Sequence, residues 1–473
     1  MKSKSVRSRK QSGYQRLNGV LKGILEEIRP TAEEIAALNE YSNELMGRLR
    51  KVVPRNVEII LAGSVARGTQ IRGTSDIDIF MLFPKGIAER EMERKAIELA
   101  KKVVHRSHGE SFVINYAEHP YLKLISEKFG VKADIVPAFK IRDSSEMATA
   151  VDRTQLHNQF VMASLSETQK DHVRLLKYIL REHNIYGAEA RVRGFSGYLC
   201  ELLVHTFGDI TKTLEFFASV KRPCLVEPLS RGVSTAESAK EASQHFKSNF
   251  VVIDPTDPDR NVAASVSEES LFRASMVSYR IIKEQSLKAI SRYGFSDDDS
   301  YRRLESIEKA TGLKIYTLKI RLPKISDDTL WPQIVKLSGQ MVHFLESYSF
   351  KPVITLQEMD GGDGVIAFFM DRQSSSIELV RGPPGFMHED AVVFYKKHVN
   401  KDMDNVSFDG ERIFALEEAR YKTPEEAIRA ALNSKSFRFP SYLKKKSTVL
   451  YSKEIPEGCA KLVYRAYIRK MTI

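Results

Sequence analysis

The chain has 473 residues, 42% hydrophobic and 28% charged, an ordinary globular composition with material for three or four domains. That excludes a disordered chain, a collagen-like repeat and a disulfide scaffold. Lysine and arginine number 73 against 61 aspartates and glutamates, and the net charge of +12 favours an anionic partner: nucleic acid, nucleotide or an acidic membrane surface.

Residues 1–10 carry Lys2, Lys4, Arg7, Arg9 and Lys10 and no acid, which predicts a basic arm. No apolar stretch stands behind it, so it does not read as a secretory signal. Residues 16–51 read as two helices. In the second, Ile35, Leu38, Tyr41, Leu45 and Leu49 recur at spacings of three or four. Thr31 and Glu34 form a capping-box pattern in front of it. A buried strand follows at 57–62, then a Gly63-Ser64 turn and a short helix. A second strand runs over 77–83, a helix covers roughly 87–104, and further strands are expected near 111–117 and 131–138. This pattern predicts a small mixed α/β domain.

From 151 to about 288 the pattern turns mainly helical, most clearly at 170–182 and 194–207. Val251-Val252-Ile253 predicts a strand, followed by a Pro-punctuated loop to 264. A basic, partly β region comes next. It has short strands at 368–370 and 377–380, behind a Gly361-Gly362-Asp363-Gly364 turn. Thr423-Pro424-Glu425-Glu426 opens one more helix, over 424–433. Asp327-Asp328 reads as a turn or helix cap rather than a metal pair, and Trp331 as core or a domain contact. Cys200, Cys224 and Cys459 lack metal-ligand spacing and read as reduced, buried thiols of a cytoplasmic protein. No apolar run approaches the ~18 residues of a membrane span.

The chemistry concentrates in Gly63-Ser64-Val65-Ala66-Arg67 and Ser75-Asp76-Ile77-Asp78-Ile79. A strand alternates its side chains, so Asp76 and Asp78 share one face while Ile77 and Ile79 point into the core. Two carboxylates side by side repel unless a cation neutralises them, and oxygen ligands of this kind suit magnesium. Gly63 permits a tight turn, Ser64 presents a hydroxyl at a helix start, and Arg67 adds a phosphate-binding fork. An anion cradle therefore lies next to the carboxylates. Asp134, in Val131-Lys132-Ala133-Asp134-Ile135, is a carboxylate in an apolar strand. If that strand neighbours the first, it completes a triad able to hold two metals. A lone Asp-x-Asp reads as a solvated strand edge and a lone Gly-Ser as a turn; their conjunction points to phosphoryl transfer.

This conjunction resembles the nucleotidyltransferase superfamily that includes DNA polymerase beta and poly(A) polymerases. From about residue 20 to about 435 the chain is similar, more closely, to the archaeal-type (class I) CCA-adding enzymes, which are tRNA nucleotidyltransferases. The further matching segments are Asp152-Arg153-Thr154-Gln155-Leu156-His157, Arg174-Leu175-Leu176-Lys177, 184–189, 193–203 and 254–264. Landmarks at 327–333 and Gly382-Pro383-Pro384 also match.

The resemblance implies an α+β multidomain fold. A polymerase-beta-like nucleotidyltransferase head, a small mixed sheet with helices, takes 1–160 with the basic arm. A helical neck takes 161–288, a body 289–346 with 430–473, and a tail 347–429; body and tail are α/β. The resemblance further implies that Asp76, Asp78 and Asp134 are catalytic and hold Mg2+ in a two-metal site. The family often has Glu at the first of these positions. Ser64, Arg67, Thr154, His157, Lys177 and Tyr186 would clamp the triphosphate of CTP or ATP, and Arg260 would select the base. Neck, body and tail would hold the acceptor stem and top half of tRNA by backbone and shape. The same resemblance implies a homodimer. The alternatives are a poly(A)- or oligoadenylate-type polymerase and an inactive RNA-binding relative. Such a relative would have lost a carboxylate or the Gly-Ser turn, and all are intact. Lys444-Lys445-Lys446 reads as a solvated face or a contact to RNA backbone.

Overall fold

The computed structural model describes residues 14–74, 76–105, 109–116, 119–290, 299–371, 376–401, 404–452 and 454–471. The expected basic arm at 1–10, Ser75 and the Lys446 side chain lie outside the described residues. The chain divides into two compact units, 1–293 and 294–472.

The first unit opens with α1 (Gln15–Ile28) and α2 (Ala32–Val52). The Thr31 hydroxyl caps α2 by accepting from the Glu34 amide at 3.1 Å. The reciprocal half of the expected box is not made. The Glu34 carboxylate accepts from the Gly73 amide instead, at 2.8 Å, and so ties α2 to a later turn. There follow β1 (Glu58–Ala62), α3 (Gly63–Arg67), β2 (Asp76–Phe83), α4 (Glu89–Lys102), β3 (Glu110–Tyr116), β4 (Pro120–Ser126) and β5 (Val131–Phe139). They build one sheet in the order β1-β2-β5-β4-β3, in which β2 and β5 are the parallel pair. The sequence does not announce β4. Pro120 at its start and Lys123 inside it leave only Leu122 and Leu124 as an apolar alternation.

The period of two sorts the two faces of β2. Ile77, Ile79 and Met81 pack with Leu38, Leu45 and Leu49 of α2 and with Met92, Ala96 and Ala100 of α4. Phe80 and Leu82 join Ala62 and Ala138 in a small cluster on the other face. Asp76 and Asp78 begin that second face.

The rest of this unit holds α5 (Arg153–Ser164), α6 (Glu167–Glu182), α7 (Gly197–Phe207), α8 (Ile210–Ser219), β6 (Cys224–Glu227), β7 (Gly232–Val233), α9 (Ala236–Phe246), β8 (Phe250–Asp254), β9 (Asp257–Asn261) and α10 (Glu268–Glu284). A large core joins α5 to α8 and α10, and α1 buries Leu17, Leu21, Ile24 and Ile28 in it. The expected helical neck therefore also contains a sheet, in the order β7-β6-β8-β9. The expected loop after Ile253 is a hairpin. Its second strand has no apolar residue to announce it, and Pro258 is tolerated because β9 is an edge strand.

The second unit holds α11 (Ser300–Thr311), β10 (Lys314–Arg321), α12 (Asp327–Ser347), β11 (Ile354–Asp360), β12 (Asp363–Met370), β13 (Ile377–Pro384), α13 (His388–His398), β14 (Val406–Phe408), β15 (Arg412–Glu418), α14 (Pro424–Asn433), β16 (Thr448–Tyr451) and α15 (Glu457–Met471). One antiparallel sheet has the order β11-β12-β10-β16, and a smaller one the order β13-β15-β14. A body–tail division at 346/347 cuts the first sheet, because β12 pairs with β10 on one side and β11 on the other. Asp327 and Asp328 form the first turn of α12 behind its N-cap Ser326, as a helix cap would place them. Trp331 is partly buried against the core, with the Arg469 guanidinium 5.9 Å from its ring centre.

The three cysteines are buried and unpaired. Burial pushes the Cys200 thiol up to about 12 and that of Cys224 to about 11. Among the described residues, no helix is long and apolar enough to cross a membrane.

Candidate active site

The parallel pairing of β2 and β5 sets Asp78 directly opposite Asp134, with Asp76 two residues earlier on the same face. On the other side of β5, the antiparallel register sets Lys123 of β4 opposite Asp134. The Lys123 ammonium donates to Asp76 Oδ2 at 2.8 Å and lies 2.9 Å from Asp134 Oδ1. The second contact is an ion pair to a buried oxygen of Asp134. Burial pushes the Asp78 carboxyl up to about 7; the charge on Asp134 adds to this and Arg67 opposes it. Burial also raises Asp134, with help from Asp76 and against Lys123. Burial works against the charge on Lys123, but its two carboxylate partners outweigh that and raise its pKa.

The turn before α3 fits this row closely. Gly63 has φ +69°, and a Cβ there would lie 1.8 Å from Asp78 Oδ2. Only glycine leaves room for the Asp78 carboxylate. Ser64 and Arg67 lie on α3, a single turn of five residues. So short a helix has little dipole, and the positive charge at this end is that of Arg67.

Arg67 is buried, and its Nε donates to Glu201 Oε1 on α7 at 3.1 Å. The Thr69 hydroxyl donates to the same oxygen at 2.5 Å. Lys177 on α6 is 3% exposed and donates to the Thr69 carbonyl at 3.0 Å and its hydroxyl at 3.1 Å. Its ammonium stands 3.7 Å from Glu201, and burial pulls its pKa down. In this arrangement Lys177 braces the turn that follows α3. Tyr186 packs against the large core, and burial raises its phenol above the ordinary range.

A second carboxylate gathers the remaining expected residues. Asp254, at the end of β8, is fully buried. Its Oδ2 accepts from His157 Nε2 and from Arg260 Nη1, each at 2.8 Å. Its Oδ1 accepts from the Tyr198 hydroxyl at 3.0 Å, the Thr256 amide at 2.9 Å and the Thr256 hydroxyl at 2.8 Å. Despite burial, these donors hold the Asp254 carboxyl well below the usual range. Burial lowers the His157 pKa, against the pull of the Asp254 carboxylate. The His157 ring stacks on Tyr198 at 3.8 Å between centres. Thr154 lies one turn before His157 on α5.

The structure thus brings Asp76, Asp78 and Asp134 together, ties Arg67 to Lys177 through Glu201, and ties His157 to Arg260 through Asp254. Sequence reasoning missed Lys123, Glu201, Tyr198 and Asp254 as members of the site. Two signals were available. Glu201 is an acid inside Leu199-Cys200-Glu201-Leu202-Leu203, and a charge within an apolar run needs a partner. Lys123 is a cation between Leu122 and Leu124. Among the described residues, Glu89, Glu93 and His119 also come within metal-ligand reach of one another. Protein contacts account for that histidine: Nδ1 lies 2.8 Å from Glu93 and Nε2 3.0 Å from Thr149 Oγ1.

Comparison with known proteins covers most of the chain. Residues 43–157 match the family model of the nucleotidyltransferase domain. Residues 171–291 match that of the tRNA nucleotidyltransferase second domain, and 311–445 that of the CCA-adding enzyme C-terminal domain. The CCA-adding enzyme of Archaeoglobus fulgidus is 31% identical over 412 residues, 87% of this chain and 88% of its own. That of Methanocaldococcus jannaschii is 32% identical over 390 residues, covering 80% and 84%. That of Thermoplasma volcanium is 32% identical over 411 residues, covering 86% and 87%. Among solved structures, the Cid1 poly(U) polymerase bound to MgATP aligns with 59% of this chain and 99% of its own at 15% identity, with a TM-score of 0.47. That likeness is too distant to bear on substrate.

Proposed function

The chain belongs to the family of CCA-adding enzymes, and from that premise we propose that it adds C, C and A to the 3′ end of tRNA, from CTP and ATP and without a template. The observation that carries the chemistry is the row in which Asp78 faces Asp134, with Asp76 on the same side of the sheet. The donor set fits a hard divalent cation: three carboxylates share one face of the sheet, and burial together with the charge on Asp134 opposes the charge on Asp78. Asp76, Asp78 and Asp134 would hold it, with magnesium in a two-metal arrangement as the finer form. When bound, the cation supplies a more acidic primer hydroxyl and neutralises charge on the triphosphate.

The chain's own groups do the rest by position. Ser64, Arg67 and Thr154 offer hydroxyl and guanidinium donors for phosphate oxygens, and His157, one turn from Thr154, joins them with its Nε2 engaged by Asp254. Glu201 fixes the Arg67 guanidinium by its Nε. Lys177 and Tyr186 support the same end from α6 and the segment after it. Lys177 spends two of its three N–H donors on Thr69. Asp254 holds Arg260, which can donate to acceptors on cytosine and on adenine. On the resemblance we also propose the top half of tRNA as the bound part, a cytoplasmic homodimer, and the division into head, neck, body and tail.

The test is extension of a tRNA lacking its CCA end, with magnesium and each nucleoside triphosphate alone, then CTP with ATP. Two C and one A followed by a stop is expected. A long A ladder on any RNA, or no incorporation despite tight tRNA binding, overturns the proposal.

A further inference from the structure

Lys123, Asp134 and Asp78 stand directly opposite one another on three adjacent strands, β4, β5 and β2. They share one face of the sheet. The Lys123 ammonium bridges carboxylates from two of these strands, Asp76 at 2.8 Å and Asp134 at 2.9 Å. A cation shared through Asp76 Oδ2 and Asp134 Oδ1 would sit where the ammonium sits. Magnesium binds oxygen at about 2.0–2.1 Å. Such an ion and an ammonium bridging the same pair would be like charges in close contact, so the two exclude one another.

We propose that Lys123 is a resident counter-cation of the catalytic row, which neutralises Asp76 and Asp134 in the metal-free enzyme and must leave them when a divalent cation binds. The inference rests on the metal-binding role of the three aspartates. Lys123 is 21% exposed at its side chain, so the ammonium already has access to solvent. The site is consequently preorganised yet weak for metal alone, because binding exchanges one cation for another. Added anionic charge from a triphosphate then tips the exchange towards the metal.

The experiment measures Mn2+ binding to the full-length, metal-stripped enzyme without nucleotide, by the loss of the free-ion electron paramagnetic resonance signal. The variants are Lys123→Gln, Lys123→Met and Lys123→Arg, with Asp134→Asn as the reference. Neutral variants are expected to bind Mn2+ roughly tenfold more tightly than wild type. Lys123→Arg keeps the charge and is expected to bind no more tightly than wild type. Asp134→Asn is expected to bind more weakly. If the neutral variants bind no more tightly than wild type, while Asp134→Asn weakens binding, Lys123 does not compete and the inference falls alone. If Asp134→Asn leaves Mn2+ binding unchanged, the metal role of the row falls and the inference with it. Should Lys123→Met not fold, Lys123→Gln and Lys123→Arg still decide between these outcomes.

Discussion

Two sets of aspartates in the first unit are held in opposite ways. Asp254 is buried and accepts five hydrogen bonds, from His157, Arg260, Tyr198 and the amide and hydroxyl of Thr256. Its charge is fully answered by the protein. Asp76 and Asp134 share one lysine, and Asp78 is pushed up to about 7 because burial and its neighbour oppose its charge. A carboxylate supplied with all the donors it can use is a fastener. A row left short of positive charge holds acceptor capacity in reserve, and that reserve is what an incoming cation uses.

The largest expected effect tests the under-supplied row. Asp78→Ala should lower single-turnover C incorporation by at least ~10³-fold, while a gel shift shows unchanged tRNA binding. Because its surroundings resist the Asp78 charge, the metal-free melting temperature should stay level or rise. A fall would mean that Asp78 is a fastener too, and the contrast with Asp254 would break. The next effect is Gly63→Ala, whose methyl would meet Asp78 Oδ2 at 1.8 Å. Moving that carboxylate by about 1 Å should cost ~10²-fold in rate, with little change in tRNA binding.

The smallest effect sharpens the other side. Asp254→Asn should cost about 1–3 kcal/mol of stability at neutral pH and weaken CTP and ATP use together, because His157 and Arg260 lose one anchor. The Asp254 carboxyl is held below its ordinary range, so its contribution is fully present above the unfolded value of about 3.9. It is lost as pH falls from there through the folded value. The stability gap between wild type and Asp254→Asn should therefore close in acid. A gap that does not begin to shrink as pH falls below ~3.9 would count against charge as the source of the anchoring.

The parts of the site that follow a local period were legible in the sequence. Asp76 and Asp78 share a face because strands alternate, and the core positions Ile77 and Ile79 follow from the same rule. Asp134 could be named, but its place depended on which strands are neighbours, and no local pattern states that. Partners at long range were not legible. Lys123 meets Asp76 across 47 residues, His157 meets Asp254 across 97, and Arg67 meets Glu201 across 134. In the same way β4 was missed, since its polar and proline residues mask a strand whose pairing is set by β3 and β5. The hairpin of β8 and β9 was hidden because Asn261 secures it by side chain, accepting from the Val252 amide and donating to the Phe250 carbonyl.

The strand order of the head sheet also fixes a sequence of events in time. β3 and β4 are made as a neighbouring antiparallel pair, and β1 pairs with β2, but β5 lies between β2 and β4. No strand pairing joins the two halves until the chain has grown through residue 139. A polypeptide emerging from the ribosome N-terminus first thus carries two separate half-sheets, one with two aspartates and one with the lysine. Asp134 arrives on the strand that closes them. The centre for phosphoryl transfer comes into being in the same step that completes the domain, so an unfinished chain has no working fragment of it.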